Sequence, residues 1–98
     1  MSELSSDPVI RELRAEISAL DRTLVETVNA RIALVARLRR YKAEKGLPFV
    51  DPERERELLE ELAAANEGPL SDEGLRELVA GLLDLTKREV ARGDGRGS

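Results

Sequence analysis

The feature that most restricts the fold of this chain is a long apolar heptad in its first half. No proline or glycine occurs between Pro8 and Gly46, and apolar side chains recur on both seam positions, at Ile10, Leu13, Ile17, Leu20, Leu24, Leu34, Leu38 and Tyr41. The pattern predicts one helix of about 54 Å, at 1.5 Å per residue. Because a globule of 98 residues is narrower than that, the seam requires a partner, most simply the same helix of a second chain.

The ends of the predicted helices are marked by residues that cap or interrupt helices. N-cap residues begin three segments, at Asp7-Pro8, Asp51-Pro52 and Ser71. Glycine and proline end the first two segments, at 46–48 and 68–69. The third segment carries an apolar stripe at Leu75, Leu78, Val79, Leu82, Leu85, Thr86 and Val90. We expect a single all-α domain over 1–98, with helices at about 8–45, 52–66 and 72–92 and a disordered tail over 93–98.

The composition excludes several kinds of chemistry. The net charge is −4 with both signs interspersed, so no basic patch of the kind that binds nucleic acid is present. No apolar run is long enough to span a membrane. The chain has no Cys and no His, which excludes a thiolate nucleophile or zinc-thiolate site and removes the commonest general base. We expect a cytoplasmic protein without metal or cofactor, and a reaction that needs little proton transfer.

Cationic side chains interrupt the apolar pattern of the first helix. Arg31 occupies a seam position, and Arg14 and Lys42 flank the seam. Arg31 and Lys42 share a face about 16 Å apart along the axis, so that both can reach a small dianion. Arg14 lies about 25 Å before Arg31 and reaches the same ligand only from an antiparallel second chain. The spacing therefore indicates an anion site shared between two chains.

The second helix adds acidic groups to this set. Glu55 lies one turn before the apolar pair Leu58 and Leu59, Arg54 is its neighbour, and Asp51 stands at the helix start. Together with the cations of the first helix, they predict a pocket with excess positive charge. Such a pocket suits a ligand with two carboxylates, which arginine binds in bidentate fashion, and a hydroxyl, which the acids bind.

Each of these side chains also has a plainer interpretation. A charge beside a seam is commonly a solvated flank, and Arg31 can pair with an acid across a dimer. Glu55 and Arg54 can be ordinary helix surface. Thr86 can hydrogen-bond back to its own helix backbone. Spacing alone leaves these alternatives open.

The segments LRAEISALD at 13–21 and DPERERELL at 51–59, with Arg31 and Lys42 between them, resemble the AroQ class of chorismate mutases. The resemblance runs from about Leu13 to Val90, and the connection NEGP at 66–69 resembles the version fused to, or partnered with, DAHP synthase. It implies an intertwined antiparallel homodimer with three helices per chain. The implied enzyme rearranges chorismate to prephenate, for phenylalanine and tyrosine biosynthesis, without a cofactor.

The resemblance implies a role for each of the four cations. Arg14 of the partner chain and Arg31 would hold the substrate carboxylates, and Arg54 would line the carboxylate end of the pocket. Lys42 would donate to the ether oxygen of the breaking bond. With Glu55, the residues Arg31, Lys42 and Arg54 form the expected catalytic set.

The remaining implied site residues are uncharged or acidic. Asp51 and Glu55 would hold the ring hydroxyl, and Thr86 stands where the family often has serine or another small residue. Val90 stands where the family commonly has a glutamine that also donates to the ether oxygen. Because valine cannot donate, this departure predicts weaker catalysis.

Alternatives to a chorismate mutase remain open at this level. A sister enzyme on the same fold, an isochorismate pyruvate-lyase or an aminodeoxychorismate mutase, would use the same cations, although the lyase resembles 52–55 less. A weakly active regulatory partner of DAHP synthase is a further alternative, because Val90 lacks the donor that the family commonly has at this position. A helical interaction protein without a binding site is the last alternative, but it does not explain the spacing of the four cations along the helices.

Overall fold

The computed structural model describes the backbone of residues 6–97 and the side chains of 6–93. It contains three long helices: α1 (Pro8–Glu44), α2 (Pro52–Ala65) and α3 (Asp72–Gly97). No strand occurs within 6–97, which confirms the predicted all-α class. No helix in this part of the chain is long and apolar enough to cross a membrane. The chain divides into two compact units, one ending at Arg31 and the other beginning at Ile32.

The three predicted N-caps make the bonds that define them. In each case a side-chain oxygen accepts a backbone N–H from the first turn, which otherwise has no partner. The donor–acceptor pairs are Val9 to Asp7 at 2.9 Å, Arg54 to Asp51 at 3.2 Å and Gly74 to Ser71 at 3.0 Å. Capping is a local interaction, so the sequence alone located the start of each helix.

The apolar seam of α1 is uncovered in the single chain. In the first unit, Leu13, Ile17, Leu20 and Leu24 are all more than half exposed. In the second unit, Tyr41 is 55% exposed. None of the residues of α1 is buried. Large apolar patches of this kind are rare on soluble monomers and mark surfaces that bind a partner.

The core of the second unit lies between α2 and α3, which pack together. Glu55 near the start of α2 contacts Lys87 in the second half of α3, so the two helices run antiparallel. The buried residues form one stripe on α3, at Leu75, Val79, Thr86 and Val90. The other stripe residues Leu78 and Leu85 lie on an adjacent face of α3 and are 55% and 37% exposed in the single chain.

The end of α3 differs from the expected disordered tail. The helix continues to Gly97, five residues beyond the predicted end at 92. Glycine lowers helix stability by about 1 kcal/mol relative to alanine but keeps its backbone N–H, and 93–97 contain no proline. The glycines at 93, 95 and 97 therefore do not end the helix, which runs through them. Position 98 lies outside the described residues.

Candidate active site

Lys42 is held by the turn that ends α1. The N–H of Leu47 donates to the Lys42 carbonyl at 2.8 Å, which closes a Schellman motif around Gly46. Gly46 has φ +70°, a conformation that glycine adopts without strain. The backbone changes direction at this turn, which brings the Phe49 carbonyl within 3.2 Å of Lys42 Nζ. The ammonium group donates a hydrogen bond to that carbonyl. The guanidinium of Arg39 lies 5.3 Å from the centre of the Phe49 ring and holds the same loop in place.

This arrangement preorganises the Lys42 ammonium group. The group carries three N–H donors, and the bond to Phe49 fixes its position while leaving donors for a ligand. Lys42 is also partly buried, which strengthens its electrostatic interactions. The contribution of Phe49 was missed from the sequence because it is made by a backbone carbonyl, which no residue type signals.

Glu55 turns toward α3, and its place in a pocket with the cations of α1 stays a prediction. Its Oε2 lies 2.8 Å from Lys87 Nζ, and the two side chains are 30% and 39% exposed. Lys87 was not predicted as a site residue. The sequence gives little indication of its contact with Glu55, because a lysine at the edge of an apolar stripe is usually a solvated surface residue. Asp51 is exposed and caps α2 through Oδ1.

Arg54 does not join Glu55 in the single chain. Its guanidinium lies 3.1 Å from Glu61 and 3.6 Å from Glu57, along the outer face of α2. The side chain is 56% exposed, and the hydrogen bond and charge of Glu61 raise the pKa of the Arg54 guanidinium. In the single chain the guanidinium therefore pairs with acidic residues of its own helix. The place of Arg54 in the pocket stays a prediction.

Thr86 and Val90 lie one turn apart on the buried face of α3, as their spacing predicts. They are 3% and 2% exposed. The Thr86 hydroxyl donates to the Leu82 carbonyl at 2.7 Å, which confirms the plainer interpretation of this residue as one that bonds back to its own helix. Val90 presents only methyl groups at this face.

The other two predicted residues lie in the first unit. Arg14 is exposed beside the uncovered seam residues Leu13 and Ile17, and Arg31 is partly buried. Their assignment to a shared pocket stays a prediction. Among the residues whose side chains are described, no group of acidic side chains is arranged to hold a metal ion.

The sequence matches a known protein family over most of its length. The sequence model for chorismate mutase type II covers residues 13–90. The chain belongs to the type II chorismate mutase family. The family named from the sequence is thereby confirmed, and the match has the limits that the resemblance indicated.

Two relatives and one solved protein show what this member of the family is similar to. The chain is 39% identical over 84 residues to a 4-amino-4-deoxychorismate mutase from Streptomyces venezuelae, covering 85% of this chain and 78% of the relative. It is 33% identical to a bifunctional chorismate mutase/prephenate dehydratase from Aquifex aeolicus, covering 81% of this chain but only 24% of that longer protein. The chorismate mutase from Thermus thermophilus, in its form II structure, matches with a TM-score of 0.80 at 35% identity, over 85% of this chain and 94% of that one.

Proposed function

We propose that this chain is a cytoplasmic chorismate mutase that works as a homodimer with active sites built from both chains. The observation that carries the activity is the family match over residues 13–90, which spans Arg14, Arg31, Lys42, Asp51, Arg54 and Glu55. The reaction breaks the C–O ether bond of chorismate and forms a C–C bond in the same molecule. It needs no nucleophile or proton shuttle, so a chain without His or Cys is able to catalyse it.

The enzyme would accelerate the rearrangement in two ways. Arg31 and the partner chain's Arg14 would hold the two carboxylates so that the reacting carbon atoms meet in a compact chair-like conformer. Lys42 would donate to the ether oxygen, on which negative charge grows as the C–O bond breaks. The bond from Lys42 to the Phe49 carbonyl supports this role, because a donor fixed in advance needs no reorganisation during the reaction.

The activity is tested by following the loss of chorismate absorbance with purified protein and identifying the product by mass spectrometry and NMR. We expect prephenate as the product, at a rate proportional to enzyme concentration. A preparation made in the same way from cells that carry the empty vector controls for contaminating mutase. Release of pyruvate, or no conversion above that control, would contradict the proposed function.

The dimer gives a second expected outcome. The uncovered α1 seam has a partner in a second antiparallel copy, and two such seams would bury each other. We expect sedimentation at micromolar concentration to show a helical species of twice the single-chain mass, with unfolding that depends on protein concentration. A compact helical monomer at that concentration would contradict the dimer.

Val90 gives a third expected outcome. The buried valine leaves Lys42 as the donor to the ether oxygen, so we expect modest activity, with kcat/KM below that of family members with a polar residue there. Val90→Gln would raise kcat/KM if its amide reaches the ether oxygen, although an unpaired buried amide costs about 1–3 kcal/mol of stability. If the wild-type chain already matches those family members and Val90→Gln adds nothing, Val90 is ordinary packing.

A DAHP synthase partner belongs to the same proposal. The NEGP connection at 66–69 supports it through its resemblance to chains that pair with that enzyme. Binding would favour the conformation in which Lys42 and Arg31 converge, and the gain is limited to the partner's preference for that conformation. We expect kcat/KM to rise when the DAHP synthase of the same organism is added.

A second candidate function is favoured by one relative. The 39% identity to a 4-amino-4-deoxychorismate mutase supports a substrate with an amino group in place of the ring hydroxyl. The two activities share the same bond rearrangement and differ at the ring position that Glu55 would bind. The preference is measured by supplying both compounds to the same protein.

A further inference from the structure

The ion pair between Glu55 and Lys87 has no role in the chemistry described so far. It joins α2 to α3 at 2.8 Å, and both side chains are more than half buried. By contrast, Arg88 pairs with Asp84 along α3 itself, at 62% and 70% exposure. Lys87 is partly desolvated, so its positive charge offsets the negative charge of Glu55 at a bound ligand more than the charge of a solvated surface lysine would.

We propose that Lys87 makes the site prefer a hydroxyl over an ammonium group at the ring position that Glu55 binds. The inference rests on the proposed function, in which Glu55 holds the ring hydroxyl of chorismate. In 4-amino-4-deoxychorismate, the compound named in the Streptomyces venezuelae relative, an amine replaces that hydroxyl. Aliphatic amines are protonated near neutral pH, so the two substrates differ there by one positive charge.

The preference follows from the charges that meet at Glu55. A hydroxyl donates a hydrogen bond to the carboxylate and adds no charge, so Lys87 does not oppose it. An ammonium group would place a second cation beside Lys87 in a region of reduced solvation, and like charges at such a distance repel. Lys87 thus discriminates by repulsion of the unwanted substrate. It is a specificity-determining residue that acts by its positive charge beside Glu55 and need not touch the substrate.

The test compares kcat/KM for chorismate and for 4-amino-4-deoxychorismate in the dimeric full chain carrying Lys87→Met, with Arg88→Met as the matched control. Both variants remove one positive charge from neighbouring positions of α3, but only Lys87 contacts Glu55. We expect Lys87→Met to shift the ratio toward the amino compound by about fivefold, the upper end of the range for an exposed charge pair. Lys87→Arg, which keeps the charge, and Arg88→Met should leave the ratio within about twofold.

An unchanged ratio in folded, dimeric Lys87→Met protein would overturn the inference. An equal shift in Arg88→Met would overturn it as well, because net charge alone would then explain the result. Lys87→Gln serves for the same comparison if the methionine variant does not fold. A wild-type protein that converts neither compound would contradict the proposed function, and the inference would fall with it; conversion of chorismate with an unchanged ratio contradicts the inference alone.

Discussion

Replacing Lys42 with alanine is expected to lower kcat for chorismate by about 10²–10³, the usual cost of losing a donor to developing negative charge. The ether oxygen becomes strongly negative only in the transition state, so the lost interaction lowers kcat more than it raises KM. The fold should survive, because the Schellman bond at this position uses the backbone carbonyl of Lys42, which alanine retains. Steady-state kinetics and circular dichroism measure the two effects.

Lys45→Ala is the matched control for this prediction. Lys45 lies three residues further on, is exposed, and places its ammonium group 5.7 Å from the Tyr41 ring, not near Phe49. We expect its kcat to stay within about twofold of wild type, as for most surface substitutions. If Lys42→Ala left kcat unchanged and raised only KM, Lys42 would bind substrate without stabilising the transition state.

The second large effect is expected at the two arginines assigned to the substrate carboxylates. Arg14→Ala and Arg31→Ala should each lower kcat/KM by about 10²–10³, since truncating one partner of a buried charge pair costs about 2–5 kcal/mol. Arg22→Ala is the control, because Arg22 is exposed and lies opposite the seam in the heptad. A loss below about tenfold in both variants would exclude these arginines as the carboxylate anchors.

The sequence predicted those parts of the structure that depend on local interactions. The caps at Asp7, Asp51 and Ser71 and the stop at Gly46 satisfy backbone groups within a few residues, so the residue types suffice to locate them. The family could be predicted for a related reason, because the spacing of charged residues along regular helices can be read directly from the sequence.

The rest of the site depends on which charges meet across helices, which spacing does not determine. Six acidic residues lie within two turns of Arg54, and in the single chain Arg54 pairs with Glu57 and Glu61. Glu55 instead crosses to Lys87 on α3, a residue without any pattern to distinguish it. The position of Lys42 depends on a backbone carbonyl of the following loop, and backbone atoms carry no sequence signal.

A heterodimer tests most directly whether the active site is shared between chains. Arg14→Ala and Arg31→Ala chains are co-expressed with different affinity tags, and the mixed dimer is purified through both tags. With two-fold symmetry one of its two sites has both arginines intact, so the mixed dimer should recover about half the wild-type kcat per dimer. A chain carrying both substitutions, paired with a wild-type chain, should stay nearly inactive, because each of its sites lacks one arginine. The opposite pattern, an inactive mixed dimer and about half activity in the second pair, would show that each site is built from one chain and would contradict the shared site.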